Sequence, residues 1–118
     1  MNDEKTIQIY VNLDKNRFPE KIEWEASDAG FGGRQDTNSF LLSVWDNEKQ
    51  SALALNLWNE KMLVEDMNMH FFQTLHAMAE SYRTATGNIA LAQSIQDFAQ
   101  KFGELAEAEA EKQKNKNE

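Results

Sequence analysis

The sequence predicts a two-layer α+β fold, in which a four-stranded antiparallel sheet of two hairpins is covered on one face by a C-terminal two-helix hairpin. Four segments of the first half alternate apolar and polar residues, as half-buried strands do. Two segments of the second half repeat apolar residues every three or four positions, as amphipathic helices do. We therefore expect a single α+β domain over residues 1–107, followed by a polar, frayed or disordered tail over residues 108–118.

The first hairpin is predicted from strands at about residues 6–13 and 21–26. The polar segment between them holds the only proline of the chain, which favours a turn. Opposing Leu13 with Ile22 keeps the apolar side chains of both strands on one face of the sheet. This register is self-consistent, and we expect it for the first hairpin.

The second hairpin is predicted from strands at about residues 40–46 and 51–58. Opposing Val44 with Leu53 again places apolar side chains together on one face. A Gly-rich loop over residues 27–39 joins the two hairpins. The face that the helices should cover then consists of Ile7, Ile9, Val11, Leu13, Ile22, Trp24, Leu42, Val44, Leu53, Leu55 and Leu57.

The two helices are predicted over about residues 63–85 and 88–107, each with one apolar stripe. Gly87 is a typical helix stop, and Asn88 is a typical cap for the helix that follows. The first stripe consists of Val64, Met67, Phe71, Leu75, Met78 and Tyr82, and the second of Leu91, Ile95, Phe98, Phe102 and Leu105. Together these stripes predict a helical hairpin with an apolar face for the sheet.

The composition disfavours several classes of function. The formal net charge is -8, so the chain lacks the basic surface that a nucleic-acid partner requires. The chain contains no cysteine, which excludes disulfides, thiolate nucleophiles and cysteine-ligated zinc. The apolar runs are too short to cross a bilayer, and no apolar leader follows the first residues. We therefore expect a cytoplasmic protein with no membrane insertion.

Candidate catalytic and cofactor-binding residues are few, and we expect neither an enzyme nor a cofactor. His70 and His76 lie six positions apart on a helix and point about 240° apart, so a shared metal site is not expected. The segment at residues 30–34 resembles a phosphate-binding loop, but it lacks the Lys-Ser/Thr pair and precedes a strand instead of a helix.

The outer face of the predicted sheet is the candidate binding surface. Exposed aromatic side chains beside an acidic rim are typical of a protein-binding patch. Strand parity places the following residues on this face: Tyr10, Leu41, Trp45, Trp58, Glu23 and Glu25. Two alternatives stay open. Either the loop or the tail covers this face, or two copies of the chain form a homodimer through it.

Four stretches together resemble a known family. They are residues 11–28 (VNLDKNRFPEKIEWEASD), 42–46 (LSVWD), 55–58 (LNLW) leading into 64–67 (VEDM), and 71–75 (FFQTL) leading to 85–87 (ATG). In order and spacing they are similar to the gliding-motility protein GldC family of gliding bacteria, over roughly residues 6–105. The chain departs from the family pattern at Leu63, where a proline is expected, and in its Gly-rich segment at residues 30–33.

The resemblance implies a non-enzymatic accessory protein of bacterial gliding motility, with no catalytic residues to carry over. Its partner would be a protein of the gliding or secretion machinery. One alternative is a holder of export substrates, because the strand and helix order is loosely similar to that of the export chaperone SecB. Another alternative is a small ligand-binding domain, which needs a buried pocket with convergent polar groups.

Overall fold

The computed structural model describes residues 3–30 and 32–116 of the chain. The chain divides into two compact units, Met1–Met62 and Leu63–Glu118. The elements in order are β1 (Ile7–Leu13), β2 (Pro19–Ala26), β3 (Gln35–Thr37), β4 (Ser39–Asp46), β5 (Ser51–Trp58), α1 (Val64–Thr86) and α2 (Ile89–Lys116). This order confirms the α+β class.

The predicted single sheet of four strands is not formed. In the described residues, β1, β2 and β3 form one antiparallel sheet, and β4 and β5 form another. The additional strand, β3, lies within the segment that the sequence predicts as a loop over residues 27–39. The cover of the sheet by the helices stays a prediction.

The register predicted for the first hairpin is wrong by two residues. Ile22 lies opposite Val11, not opposite Leu13. The turn is the reason: the Asp14 amide donates to the Phe18 carbonyl oxygen at 2.8 Å, and the Asp14 carboxylate accepts from the Phe18 amide at 3.0 Å. This closed turn ends at Phe18, so β2 begins at Pro19, two residues before the predicted start.

The short strand β3 extends the first sheet beyond β2. Ile22 lies opposite Thr37, and Trp24 lies opposite Gln35. Gly33 has a φ of 83°, a conformation that glycine adopts without strain, and it precedes the short strand. Three residues are too few to show an alternating pattern, so periodicity does not indicate this strand.

The second hairpin confirms its predicted register. Val44 lies opposite Leu53, and Trp45 lies opposite Ala52 on the other face. The Asp46 carboxylate accepts from the Glu48 and Lys49 amides, both at 3.0 Å, and so holds the turn between β4 and β5.

Asn59 joins the two sheets within the first unit. Its amide donates to the Asn38 carbonyl oxygen at 3.1 Å. Its side-chain Nδ2 lies 3.1 Å from Asn38 Oδ1 and 3.4 Å from the Glu20 carbonyl oxygen. Asn59 is buried, and its side-chain oxygen accepts from the Lys61 amide. One buried amide therefore ties the end of β5 to the start of β2 and to the junction of β3 and β4.

The first unit buries little of its predicted apolar face. Ile22 is fully buried, whereas Leu53 is 67% exposed and Leu55 is 48% exposed. Further members of that face are also exposed, namely Ile7, Leu13, Leu42 and Val44. The two sheets therefore leave apolar surface that they do not cover themselves.

The helices of the second unit form an antiparallel hairpin, as predicted. The Phe71 and Phe102 ring centroids lie 6.4 Å apart. Gly87 ends α1 in a left-handed conformation and donates its amide to the Arg83 carbonyl oxygen at 2.8 Å. Asn88 Oδ1 accepts from the Leu91 amide at 3.0 Å and caps α2. Both predicted helix signals are confirmed.

The helices meet along a stripe of small residues that the hydrophobic pattern did not indicate. Ala79, Ala92 and Ala99 are buried, and Gly103 lies against the Phe72 ring. Small side chains let two helix backbones approach closely. The predicted α2 stripe lies beside this contact, and its members Leu91, Phe98 and Leu105 remain exposed.

Helix α2 continues to Lys116, beyond the predicted end at residue 107. The added residues are almost all Ala, Glu, Lys and Gln, which are strong helix formers and need no burial to adopt the helix. Residues 117–118 of the predicted tail lie outside the described residues.

Candidate partner-binding surface

Tyr10, Glu23 and Glu25 are brought together on one face of the first sheet, as the sequence predicts. Tyr10 lies opposite Glu23 in the β1–β2 register. The Tyr10 hydroxyl donates to Glu25 Oε1, and it lies 2.6 Å from Gln8 Oε1. The Glu23 side chain is only 18% exposed and faces Arg34 Nη1 at 3.5 Å. The polar groups of these side chains therefore already have hydrogen-bond or ion-pair partners within the cluster.

Arg34 completes this cluster, and the sequence analysis did not identify it as a site residue. Its guanidinium carbon lies 3.4 Å from the centroid of the Tyr10 ring, in a cation–π contact. Arg34 follows Gly33 and directly precedes β3, so the segment between the hairpins covers the Tyr10 ring. Of the alternatives left open for the outer face, cover by the loop over residues 27–39 is therefore observed at Tyr10.

The pKa of the Tyr10 hydroxyl is raised above its ordinary value of 10.0. The largest cause is the hydrogen bond to Glu25, followed by partial burial and by the charge of Glu25, while Arg34 acts in the opposite direction. Because the folded pKa is raised, this interaction stabilises the fold below pH 10.0. The contribution is lost as the pH rises through the raised pKa.

Leu41, Trp45 and Trp58 share one face of the second hairpin, as predicted. Trp45 and Trp58 are each 56% exposed. Trp58 lies opposite Ser39, and Ser39 precedes Trp45 by six residues on β4. The two tryptophan positions are therefore about 20 Å apart along the strands. Small residues lie between them, including Ala54 opposite Ser43.

Trp58 lines a groove of about 490 Å³ in the first unit, which we call the Trp58 groove. Its walls are formed by Phe18, Pro19, Asn56, Leu57, Trp58, Asn59 and Glu60. Phe18 is 64% exposed and comes from the turn before β2. The groove therefore combines two exposed aromatic rings with one carboxylate, a composition suited to a protein contact. Sequence reasoning missed Phe18, although an exposed aromatic residue in a polar turn was the available signal.

The His76 side chain lies in the contact between the two helices. His76 Nδ1 lies 2.6 Å from Gln96 Nε2, and the His76 ring meets the Phe72 ring edge-on at 4.6 Å, within the helix contact. In the part of the chain that the structure describes, His, Asp and Glu side chains form no group of three that could hold a metal ion. Neither described helix has the sustained apolar stretch that crossing a bilayer requires.

The described units define a small acidic α+β protein that presents aromatic and leucine side chains at its surface. Residues 19–108 match the family described as gliding motility-associated protein GldC-like, so the chain belongs to that family. No curated protein and no solved structure matches the chain. The family match begins at the start of β2 and ends within α2, so it includes Trp58 and the walls of its groove other than Phe18, and it does not include Tyr10.

Proposed function

We propose that this gliding motility-associated protein is a non-enzymatic accessory protein that binds a component of the gliding or secretion machinery through the Trp58 groove. The observation that carries the proposal is the groove itself, where Trp58 and Phe18 expose their rings beside Glu60. Aromatic side chains in such positions commonly supply most of the binding free energy at a protein interface.

The chemistry of the groove suggests the kind of partner. Apolar walls suit an aliphatic or aromatic anchor, and Glu60 suits a Lys or Arg beside that anchor. The net charge of -8 would speed the association of a basic partner segment. We propose the cytoplasm as the place of this contact, which fractionation of the host cells would test.

The remaining residues of the outer face have secondary parts in this proposal. Trp45 and Leu41 lie on the same face as Trp58 but toward the other end of the hairpin, where they extend the contact for a long partner. Tyr10, Glu23 and Glu25 are engaged with Arg34 and one another. We therefore assign them to the rim and not to the anchor pocket.

Recovery of partner proteins by the tagged chain, expressed in a gliding host, tests the proposal. Trp58→Ala should reduce recovery of a specific partner and impair spreading of the cells. Trp45→Ala is the comparison variant, because its indole is equally exposed on the same face but lies outside the groove, and it should reduce recovery less than Trp58→Ala does. Loss with both variants would extend the contact over the whole face. Unchanged recovery and spreading with a folded Trp58→Ala protein would refute the groove as the binding site.

A second candidate function, a chaperone-like holder of export substrates, is favoured by the number of exposed apolar side chains. Phe71, Met78 and Phe98 on the helices are exposed, as are Leu53 and Leu55 on β5. Such surface can bind unfolded clients without strict sequence preference. Suppressed aggregation of a thermally unfolded client at equimolar protein would support this function, and unchanged aggregation would exclude it.

A further inference from the structure

Strand β5 is an edge strand that carries no charged residue. Its sequence, SALALNLW, runs from Ser51 to Trp58 and contains neither proline nor glycine. Within the described residues, β5 pairs with β4 alone. Natural proteins usually protect such edges with Lys, Pro or a bulge, because unpaired strand edges recruit further strands. β5 has none of these features.

The hydrogen bonds of the hairpin show which backbone groups face the free edge. The Asn59 amide donates to the Asn38 carbonyl oxygen at 3.1 Å, one step beyond the Ser39–Trp58 pair. Hydrogen-bonded and non-hydrogen-bonded pairs alternate along an antiparallel ladder. The backbone groups of Ala54 and Asn56 therefore point away from β4, toward the unpaired edge.

A two-stranded sheet is at most marginally stable alone, and it gains most from a further strand or an apolar layer. The side chains along β5 are exposed except for Leu57, which is half-buried. An extended strand of matching chemistry would pair the free backbone groups and cover Leu53 and Leu55. The free edge of β5 is therefore matched by an extended, uncharged strand that carries leucine side chains.

We propose that the occupant is β5 of a second copy of this chain, paired antiparallel about a twofold axis at Leu55. In this register Leu55 meets the partner's Leu55, and Leu53 meets the partner's Leu57. Ala54 then meets the partner's Asn56 as a hydrogen-bonded pair, which agrees with the outward direction of their backbone groups. The two hairpins become one four-stranded sheet with a continuous leucine face.

Self-pairing fits β5 for two reasons. Ala52 lies opposite the partner's Trp58 in this register, which repeats the pairing of Ala52 with Trp45 inside the hairpin. Each chain has a net charge of -8, and the charge-free strand lets two acidic chains approach without like charges meeting across the ladder. The isologous contact also removes the free edge of both copies. Asn56, Leu57 and Trp58 take part in both contacts, so a second copy and the partner proposed for the Trp58 groove would compete for this end of β5.

Mass measurement by light scattering after size-exclusion chromatography tests the proposal. The wild-type chain should have twice its monomer mass of 13.6 kDa. Ala54→Pro removes an amide that points to the free edge of β5 and should give the monomer mass. Ser43→Pro is the matched control, because Ser43 lies opposite Ala54 and its amide points to the free edge of β4. It should remain a dimer. A monomeric wild type, or a dimer that persists in folded Ala54→Pro, would overturn the proposal.

Single-cysteine crosslinking keeps the test decisive if the proline variants fail to fold. The chain has no native cysteine, so one introduced thiol can react only with the same thiol of another copy. Leu55→Cys should form a covalent dimer on mild oxidation, because a non-hydrogen-bonded pair brings the Cα atoms within disulfide reach. Leu53→Cys should not, because its copies lie about 13 Å apart in this register. The opposite result, or crosslinking of both variants to the same extent, would refute the register. A monomer that instead binds an extended foreign peptide at β5 would also refute the second copy as occupant.

Discussion

Replacing Gly103 with alanine should destabilise the helical hairpin, although alanine is the better helix former. A Cβ atom at residue 103 would lie 2.8 Å from Phe72 Cε2 and 3.0 Å from Cδ2, which is closer than such atoms approach without rearrangement. The His76 ring packs edge-on against the Phe72 ring and restricts its movement on that side. One of the two helices, or the ring itself, must therefore shift.

The magnitude follows from two opposing terms. Alanine in place of glycine within a helix gains about 1 kcal/mol. Overpacking of a close contact costs about 1–3 kcal/mol. With a mid-range steric cost of about 2 kcal/mol, the free energy of unfolding should fall by about 1 kcal/mol. The steric term exceeds the gain in propensity because Gly103 lies in the contact between the helices and not on an open helix surface.

Urea denaturation, followed by far-ultraviolet circular dichroism, measures this difference. The same substitution in a Phe72→Ala background supplies the control, because alanine has none of the ring atoms that the new Cβ would meet. There Gly103→Ala should stabilise the protein by about 1 kcal/mol, since only the propensity term remains. If Gly103→Ala were equally stabilising in both backgrounds, the close approach of α2 to Phe72 would be refuted.

Three further substitutions test other parts of the structure. Asn59→Ala should lower the free energy of unfolding by about 1–3 kcal/mol, because buried groups at the sheet junction lose hydrogen-bond partners, and urea titration would show this. Glu25→Gln should lower the pKa of Tyr10, because it removes the carboxylate that holds the hydroxyl proton; ultraviolet absorbance of tyrosinate during alkaline titration reports the shift, and an unchanged pKa would contradict the contact. Asn88→Ala should cost about 1 kcal/mol of stability while Asn88→Asp retains it, as measured by thermal unfolding, because both Asn and Asp cap the Leu91 amide.

Periodicity predicted most of the elements, because alternation and helical repeats record which side chains share a face. It placed Trp45 and Trp58 together on one face of the second hairpin, which the register confirms. It could not fix the first hairpin's register, since a slip of two residues leaves every side chain on its original face. There the closed turn from Asp14 to Phe18 decided the pairing.

Features made by small or isolated residues escaped the sequence. The contact between the helices uses Ala92, Ala99 and Gly103, whose low hydrophobicity gives no clear stripe. Arg34 reaches Tyr10 only because β3 returns the chain to β2, a non-local event. Phe18 joins the Trp58 groove because the turn and the end of β5 meet in space. Strand parity therefore predicted that Trp45 and Trp58 share a face, but it did not predict that Trp58 lines a groove with Phe18.

The division of the chain into two units has an optical consequence. All three tryptophans, Trp24, Trp45 and Trp58, belong to the unit of strands, whereas both helices belong to the other unit. Indole fluorescence therefore reports on the first unit, and the ellipticity of the α-helices reports on the second. The native sequence carries a separate spectroscopic reporter in each unit, and no label has to be introduced.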